Sequence, residues 1–132
     1  MTDTRFINPA TMPSPRGYTQ VVETAGGRTI YIAGQVAMDA AGNLVGAGDL
    51  AAQTRQVFEN LKAALESVGG NFSHVVKFTI FMLNVSQVQI VRDIRDEYVN
   101  TQSPPASTLV GVTALFRPEY VIEIEAIAVI PA

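Results

Sequence analysis

Cysteine and tryptophan are absent from the 132 residues, and histidine occurs once, as His74. Without cysteine there is no disulfide framework, no thiolate nucleophile and no thiolate metal site, and a lone histidine cannot by itself build a zinc cluster. Metal chemistry is therefore set aside, and no cofactor is expected. Basic clusters are missing too. Nine Lys and Arg stand scattered against twelve Asp and Glu, for a net charge of −3. That leaves no electrostatic footprint for nucleic acid or an anionic membrane. No apolar run approaches the roughly 18 residues of a membrane span, and the opening "MTDTRFINPATMPSPRG" has no basic stretch leading into an apolar one. The expectation is a soluble, cytoplasmic protein. What is present is apolar content: 48% of the chain is hydrophobic, enough at this length for a single domain with a core over residues 1–132.

Residues 1–17, rich in Pro, Thr and Asn and without periodicity, are expected to form an extended arm. "YTQVVETA" and "TIYIAGQVAM" flank Gly26 and Gly27 and predict a β-hairpin, because glycine tolerates the positive φ of a tight turn. A Gly-rich loop, with a short extended piece near Leu44 and Val45, leads to Asp49, a predicted N-cap. From Leu50, apolar residues recur at helical spacing through Val57, Phe58, Leu61, Leu65 and Val68, and Gly69 and Gly70 stop the helix. "HVVKFTIFML" reads as a strand. Ser86 with Gln89 predicts a capping box, opening a second helix with a Val91, Ile94, Tyr98 stripe. "TQSPPAS" breaks that helix, and two strands follow around "STLVGV" and "VIEIEAIAV". The predicted class is α+β, in the order β-β-α-β-α-β-β.

Two helices can cover only one face of such a sheet. Yet "KFTIFML" sends Phe78, Ile80 and Met82 to one side and Thr79, Phe81 and Leu83 to the other, and "TIYIAGQV" is apolar on both sides. An exposed patch of that kind exceeds what a monomer usually tolerates, which predicts an interface between copies, or else a cover made by the arm and the Gly-rich loop. In "VIEIEAIAVI", Glu123 and Glu125 share one face with Val121, Ile127 and Val129, while Ile122, Ile124, Ala126, Ala128 and Ile130 share the other. Two carboxylates therefore stand side by side on one face of the last strand.

The fragments "GYTQVV", "IYIAGQVAMD", "QTRQVFENLKAAL", "VVKFTIFMLNV", "PPASTLVGV" and "IEIEAIA", in this order and spacing, resemble the YjgF/RidA family, the reactive intermediate deaminases also labelled endoribonuclease L-PSP. The similarity runs from about Gly17 to Val129. It implies a chorismate-mutase-like subunit, a homotrimer, and small clefts between neighbouring subunits. There, deaminating members are said to hydrolyse a 2-imino or enamine acid to a 2-keto acid and ammonia. In that family an arginine grips the substrate carboxylate and a glutamate on the last strand serves the attacking water. The resemblance carries the glutamate over as Glu123, the cleft tyrosine as Tyr18 and the cleft-lining glycine as Gly34. Ala33 stands where a serine is common, and Arg92 falls near a cleft-associated position. The deaminating pattern Pro-Ala-Arg reads here Pro105-Ala106-Ser107. A bidentate, charge-assisted clamp is thus exchanged for one neutral hydrogen bond. At roughly 1.5 to 3 kcal/mol against roughly 1, the exchange weakens binding of an anion by about tenfold. Leu109, where cysteine is common, makes the pocket more apolar.

These residues leave three functions open. The first is a hydrolytic deaminase of an enamine or imine, with Glu123 as base and the standard 2-imino-acid activity weak or absent. The second is a protein that binds a small metabolite, with or without a carboxylate, and does not turn it over, Glu123 then being an acid capped by backbone donors at the interface. The third, a ribonuclease, is poorly served by an acidic chain with one histidine. No histidine neighbours Ser107 in sequence, which argues against a Ser-His triad. Arg16 and Arg92 could each supply a guanidinium to the cleft or lie solvated on the arm and the helix.

Overall fold

The computed structural model describes residues 2–132. Six strands and two helices follow one another: β1 (Thr2–Ile7), β2 (Val21–Gly26), β3 (Arg28–Gln35), α1 (Leu50–Glu66), β4 (Val75–Met82), α2 (Val88–Arg95), β5 (Ala106–Gly111) and β6 (Ile122–Ile130). The main sheet has the order β3-β6-β4-β5 and is mixed. β4 and β5 run parallel, whereas β6 is antiparallel to both β3 and β4. β1 and β2 form a separate antiparallel ribbon. The class is α+β, as the hydrophobic pattern predicts.

Both helices lie on one face. α1 begins where the Asp49 carboxylate accepts the Ala52 N–H at 3.0 Å, and it buries Val57, Phe58, Leu61 and Leu65. Across from them lie Phe78, Ile80 and Met82 of β4 and Ile122, Ile124, Ala126 and Ala128 of β6, all buried. Phe58 stacks on Tyr98 at 5.0 Å between ring centroids and meets Phe72 and Phe78 at 6.0 and 5.9 Å. Each fully buried Leu, Ile or Phe contributes about 1.5 to 3 kcal/mol. The ion pairs Arg5–Glu23 and Arg55–Glu97 lie in solvent and contribute little. Packing on the helix face therefore holds the fold together.

Among the described residues the other face of the main sheet carries no helix. Lys77, Thr79 and Phe81 of β4 lie opposite Ile127, Glu125 and Glu123 of β6. Tyr31 of β3, opposite Ile127, is 78% exposed. Among the described residues no helix is long and apolar enough to cross a membrane.

Four local expectations need correction. Residues 2–7 of the predicted arm are strand β1, paired residue for residue with β2. The segment "TDTRFI" has too little apolar alternation to announce a strand, and its pairing depends on a partner about 20 residues away. Gly26 and Gly27 do take positive φ, +76° and +81°, but β2 and β3 do not pair. The two glycines instead swing the chain from the ribbon into the main sheet, where β3 finds β6. Ser86 and Gln89 form no capping box. The Asn84 carboxamide accepts the Ser86 N–H at 3.1 Å and caps the 3-10 turn Val85–Gln87 that leads into α2, Gln89 donates to Asp93 at 2.8 Å, and Gln87, the residue before α2, makes no side-chain cap. Finally, α2 stops at Arg95, and Tyr98 reaches the aromatic cluster from the turn that follows. The extended piece expected near Leu44 is present, as a single antiparallel bridge to Met38.

Candidate functional site

Ser107 pairs with Phe78 and Leu109 with Ile80 across the β4–β5 ladder, which turns both toward the helix side at the open edge of the sheet. Neighbouring α2 presents Val91, Arg92 and Arg95. Residues of equal face recur at i and i+3, so the two arginines project together. The chain before β2 closes the space. Thr19, almost fully buried, donates its backbone N–H to Pro105 O at 3.2 Å and its hydroxyl to Pro104 O. The segment carrying Arg16 and Tyr18 is thereby pinned to the turn that leads into β5.

The result is a cavity of about 240 Å³ lined by Arg16, Tyr18, Arg92, Arg95, Ser107 and Leu109, over an apolar floor of Ile80 and Val91. A second cavity of about 230 Å³ adjoins it and shares Arg16, Arg92 and Arg95 with the first. Arg95 is nearly buried; its Nε donates to Asp96 Oδ1 at 3.0 Å and its Nη2 lies 2.9 Å from the same oxygen. Its guanidinium occupies the space that a side chain at residue 17 would need. Residue 17 is glycine for a second reason as well, a φ of +77°.

Glu123 lies elsewhere. It faces the uncovered side of the sheet beside Phe81. Between Ile32 and Gln35 the register of β3 against β6 slips by one residue, so Ala33 and Gly34 form a bulge. Over that bulge the Glu123 carboxylate fills the place a Cβ on Gly34 would take, which is the close approach that glycine in a bulge permits. Gly34 also borders a broad hollow of about 460 Å³ with Gln35, Asp39, Asn60 and Phe116. Glu125, opposite Thr79, is exposed.

The residues singled out from the sequence thus fall into two groups within one chain. Tyr18, Arg92 and Ser107 share a cavity, and Arg16 joins them. Ala33, Gly34 and Glu123 form the second group on the opposite face. Arg95 was missed, although its spacing from Arg92 was a usable signal. His74 is structural here: its Nδ1 accepts the Asn71 N–H at 3.0 Å at the entrance to β4. Among the described residues no group of three or more His, Asp or Glu comes together as a metal site.

Comparison with known proteins agrees with this architecture. The family model described as Endoribonuclease L-PSP matches residues 10–130. The chain is 41% identical over 112 residues to Protein DfrA of Myxococcus xanthus, covering 85% of this chain and 84% of that protein. It is 37% identical over 132 residues to the 2-iminobutanoate/2-iminopropanoate deaminase of Dermatophagoides farinae, covering 98% and 99%. Among solved structures, the Rid-family protein YyfB from Yersinia pestis superposes with a TM-score of 0.84 at 41% identity, covering 96% of this chain and 98% of that one. RidA from an Antarctic Psychrobacter gives 0.72 at 34% identity, covering 96% and 99%. With a family model spanning nearly its whole length and relatives of this identity, the chain belongs to the YjgF/RidA family.

Proposed function

We propose that the chain acts as a single domain of a cytoplasmic homotrimer and hydrolyses a small imine or enamine in a cleft between neighbouring copies. One copy supplies Tyr18, Arg92 and Ser107, and its neighbour supplies Glu123 over Gly34. The observation that carries this reading is the separation of the two groups by the sheet itself. None of the four cavities described above or beside Leu50 takes in both Ser107 and Glu123. A water-directing carboxylate and a substrate-holding pocket can then meet only across two chains, and the uncovered face bearing Tyr31, Phe81 and Glu123 is the surface free to make that contact.

In this mechanism Glu123 orients or deprotonates a water that adds to the C=N carbon, while the cavity at β5 holds the substrate's acid group. Proton transfer by a positioned carboxylate contributes typically about 100-fold or more. Because Ser107 offers a neutral hydroxyl where the family's deaminating pattern has arginine, turnover of the standard 2-imino monoacids is weak. The same separation favours a second reading, binding without turnover, since the arginine-lined cavity is complete without Glu123.

The test is keto-acid release from freshly generated 2-aminoacrylate and 2-iminobutanoate. Slow turnover by the native protein, abolished by Glu123→Gln and raised by Ser107→Arg, supports the hydrolytic reading. Release as fast as that of an arginine-bearing relative would overturn the role given to Ser107. Turnover indifferent to Glu123→Gln would overturn the role given to Glu123, and no release above the uncatalysed background would leave the binding reading.

A further inference from the structure

Resting on the cleft just proposed, the geometry points to a specific ligand class: we infer that the cavity at β5 takes a small acid with two carboxylates, so that the imine turned over is that of a dicarboxylic amino acid. Three guanidiniums, those of Arg16, Arg92 and Arg95, border both adjoining cavities. One acid answers them. Asp96 engages Nε and Nη2 of Arg95, and Nη1 of Arg95 has no partner among the described residues. Arg16 and Arg92 make no side-chain ion pair among the described residues either. Like charges that border the same cavity repel one another, so an arrangement with two net positive charges, one of its guanidiniums nearly buried, favours two negative ones. A monocarboxylate would leave at least one guanidinium uncompensated.

Shape selects among dianions. The inner cavity, about 240 Å³, falls below the roughly 300 Å³ at which drug-sized sites begin. Its floor of Ile80, Val91 and Leu109 suits a short carbon chain, and the hydroxyls of Tyr18 and Ser107 suit a neutral polar group between the two acids. Planar guanidiniums pair with planar carboxylates through two parallel N–H bonds. With the arginines set where the inner and outer cavities meet, one carboxylate sits in each. The reaction balances with water alone. The imine carbon gains the water oxygen, its C–N bond breaks, and the nitrogen leaves with both water protons, so one imino diacid and one water give one 2-oxo diacid and one ammonia.

Isothermal calorimetry on the intact protein tests this with the stable product analogues 2-oxoglutarate and 2-oxobutanoate and with inorganic phosphate, at roughly 0.15 M salt. The expected result is 2-oxoglutarate binding at least about tenfold more tightly than either of the others, since a second charge-assisted pair is made. Arg92→Gln and Arg16→Gln, both at exposed positions, should each weaken 2-oxoglutarate by about tenfold and 2-oxobutanoate much less. Equal affinity for the two keto acids, phosphate binding as tightly as 2-oxoglutarate, a preference that survives both substitutions together, or no binding of any of the three overturns the inference. Glu123→Gln separates it from the catalytic reading. Dicarboxylate preference with turnover indifferent to Glu123→Gln sinks only the hydrolytic role, whereas Glu123-dependent turnover without that preference sinks only the ligand class.

Discussion

The Glu123 carboxylate lies where a side chain on Gly34 would have to be. The bulge in β3 and the acid of β6 are therefore one structural unit: a glycine at residue 34 is what lets the carboxylate rest against backbone.

Gly34→Ala should displace that carboxylate. A methyl at residue 34 collides with the Glu123 side chain, and because the residue does not need a positive φ, the backbone itself accepts alanine. Misplacement of a catalytic group by about 1 Å can cost about 100-fold in rate. Imine hydrolysis should fall by about 10- to 100-fold while the thermal midpoint moves little. Unchanged turnover would mean that the pairing of these two residues has no part in catalysis.

Tyr31→Glu should break the assembly and spare the subunit. Tyr31 stands on the uncovered face and is 78% exposed, so a charge there costs the isolated chain little but would be desolvated between copies. Sedimentation should show the native protein as an assembly and the variant as single chains with unchanged far-ultraviolet dichroism. A native protein that sediments as one chain would remove the shared cleft altogether.

Gln53→Leu should be among the most destabilising single changes. The carboxamide of Gln53 is fully buried. It donates to Gly46 O at 3.1 Å and Glu119 O at 2.9 Å, and it accepts the Val121 N–H at 3.0 Å. Leucine fills a similar volume but leaves these backbone groups without partners. Urea unfolding should report a loss of about 2 to 4 kcal/mol.

Tyr98 should make the fold sensitive to alkali. Burial, aided by its hydrogen bond to Glu59, pushes the phenol up to about 12, whereas in the unfolded chain it titrates near 10. The native state then holds its proton longer. This contribution is fully present below a pH of about 10 and is lost as pH rises toward about 12, where unfolding releases the proton. Urea midpoints measured across this range should fall more steeply for the native protein than for Tyr98→Phe. Parallel curves would refute the assignment.

The sequence by itself determined the class and the faces. The grouping of side chains two apart in "FTIFM" and "VIEIEAIAVI" and the period-3.6 spacing from Leu50 to Leu65 are local properties, and the shared burial of Phe78, Ile80 and Met82 and of Ile122 and Ile124 follows them. The glycines at residues 26 and 27 were legible as turns for the same reason. Partners were not. Strand β1 and the separation of β2 from β3 depend on which distant edge offers hydrogen bonds, and no short window of residues records that. Only the tertiary structure decided that Arg16, Arg92 and Arg95 converge on Ser107 while Glu123 rests over Gly34 on the far side. Which side chains gather around a cavity depends on how an irregular segment is pinned, here by Thr19 at the turn into β5, and long-range contacts of that kind form only when the whole chain has packed.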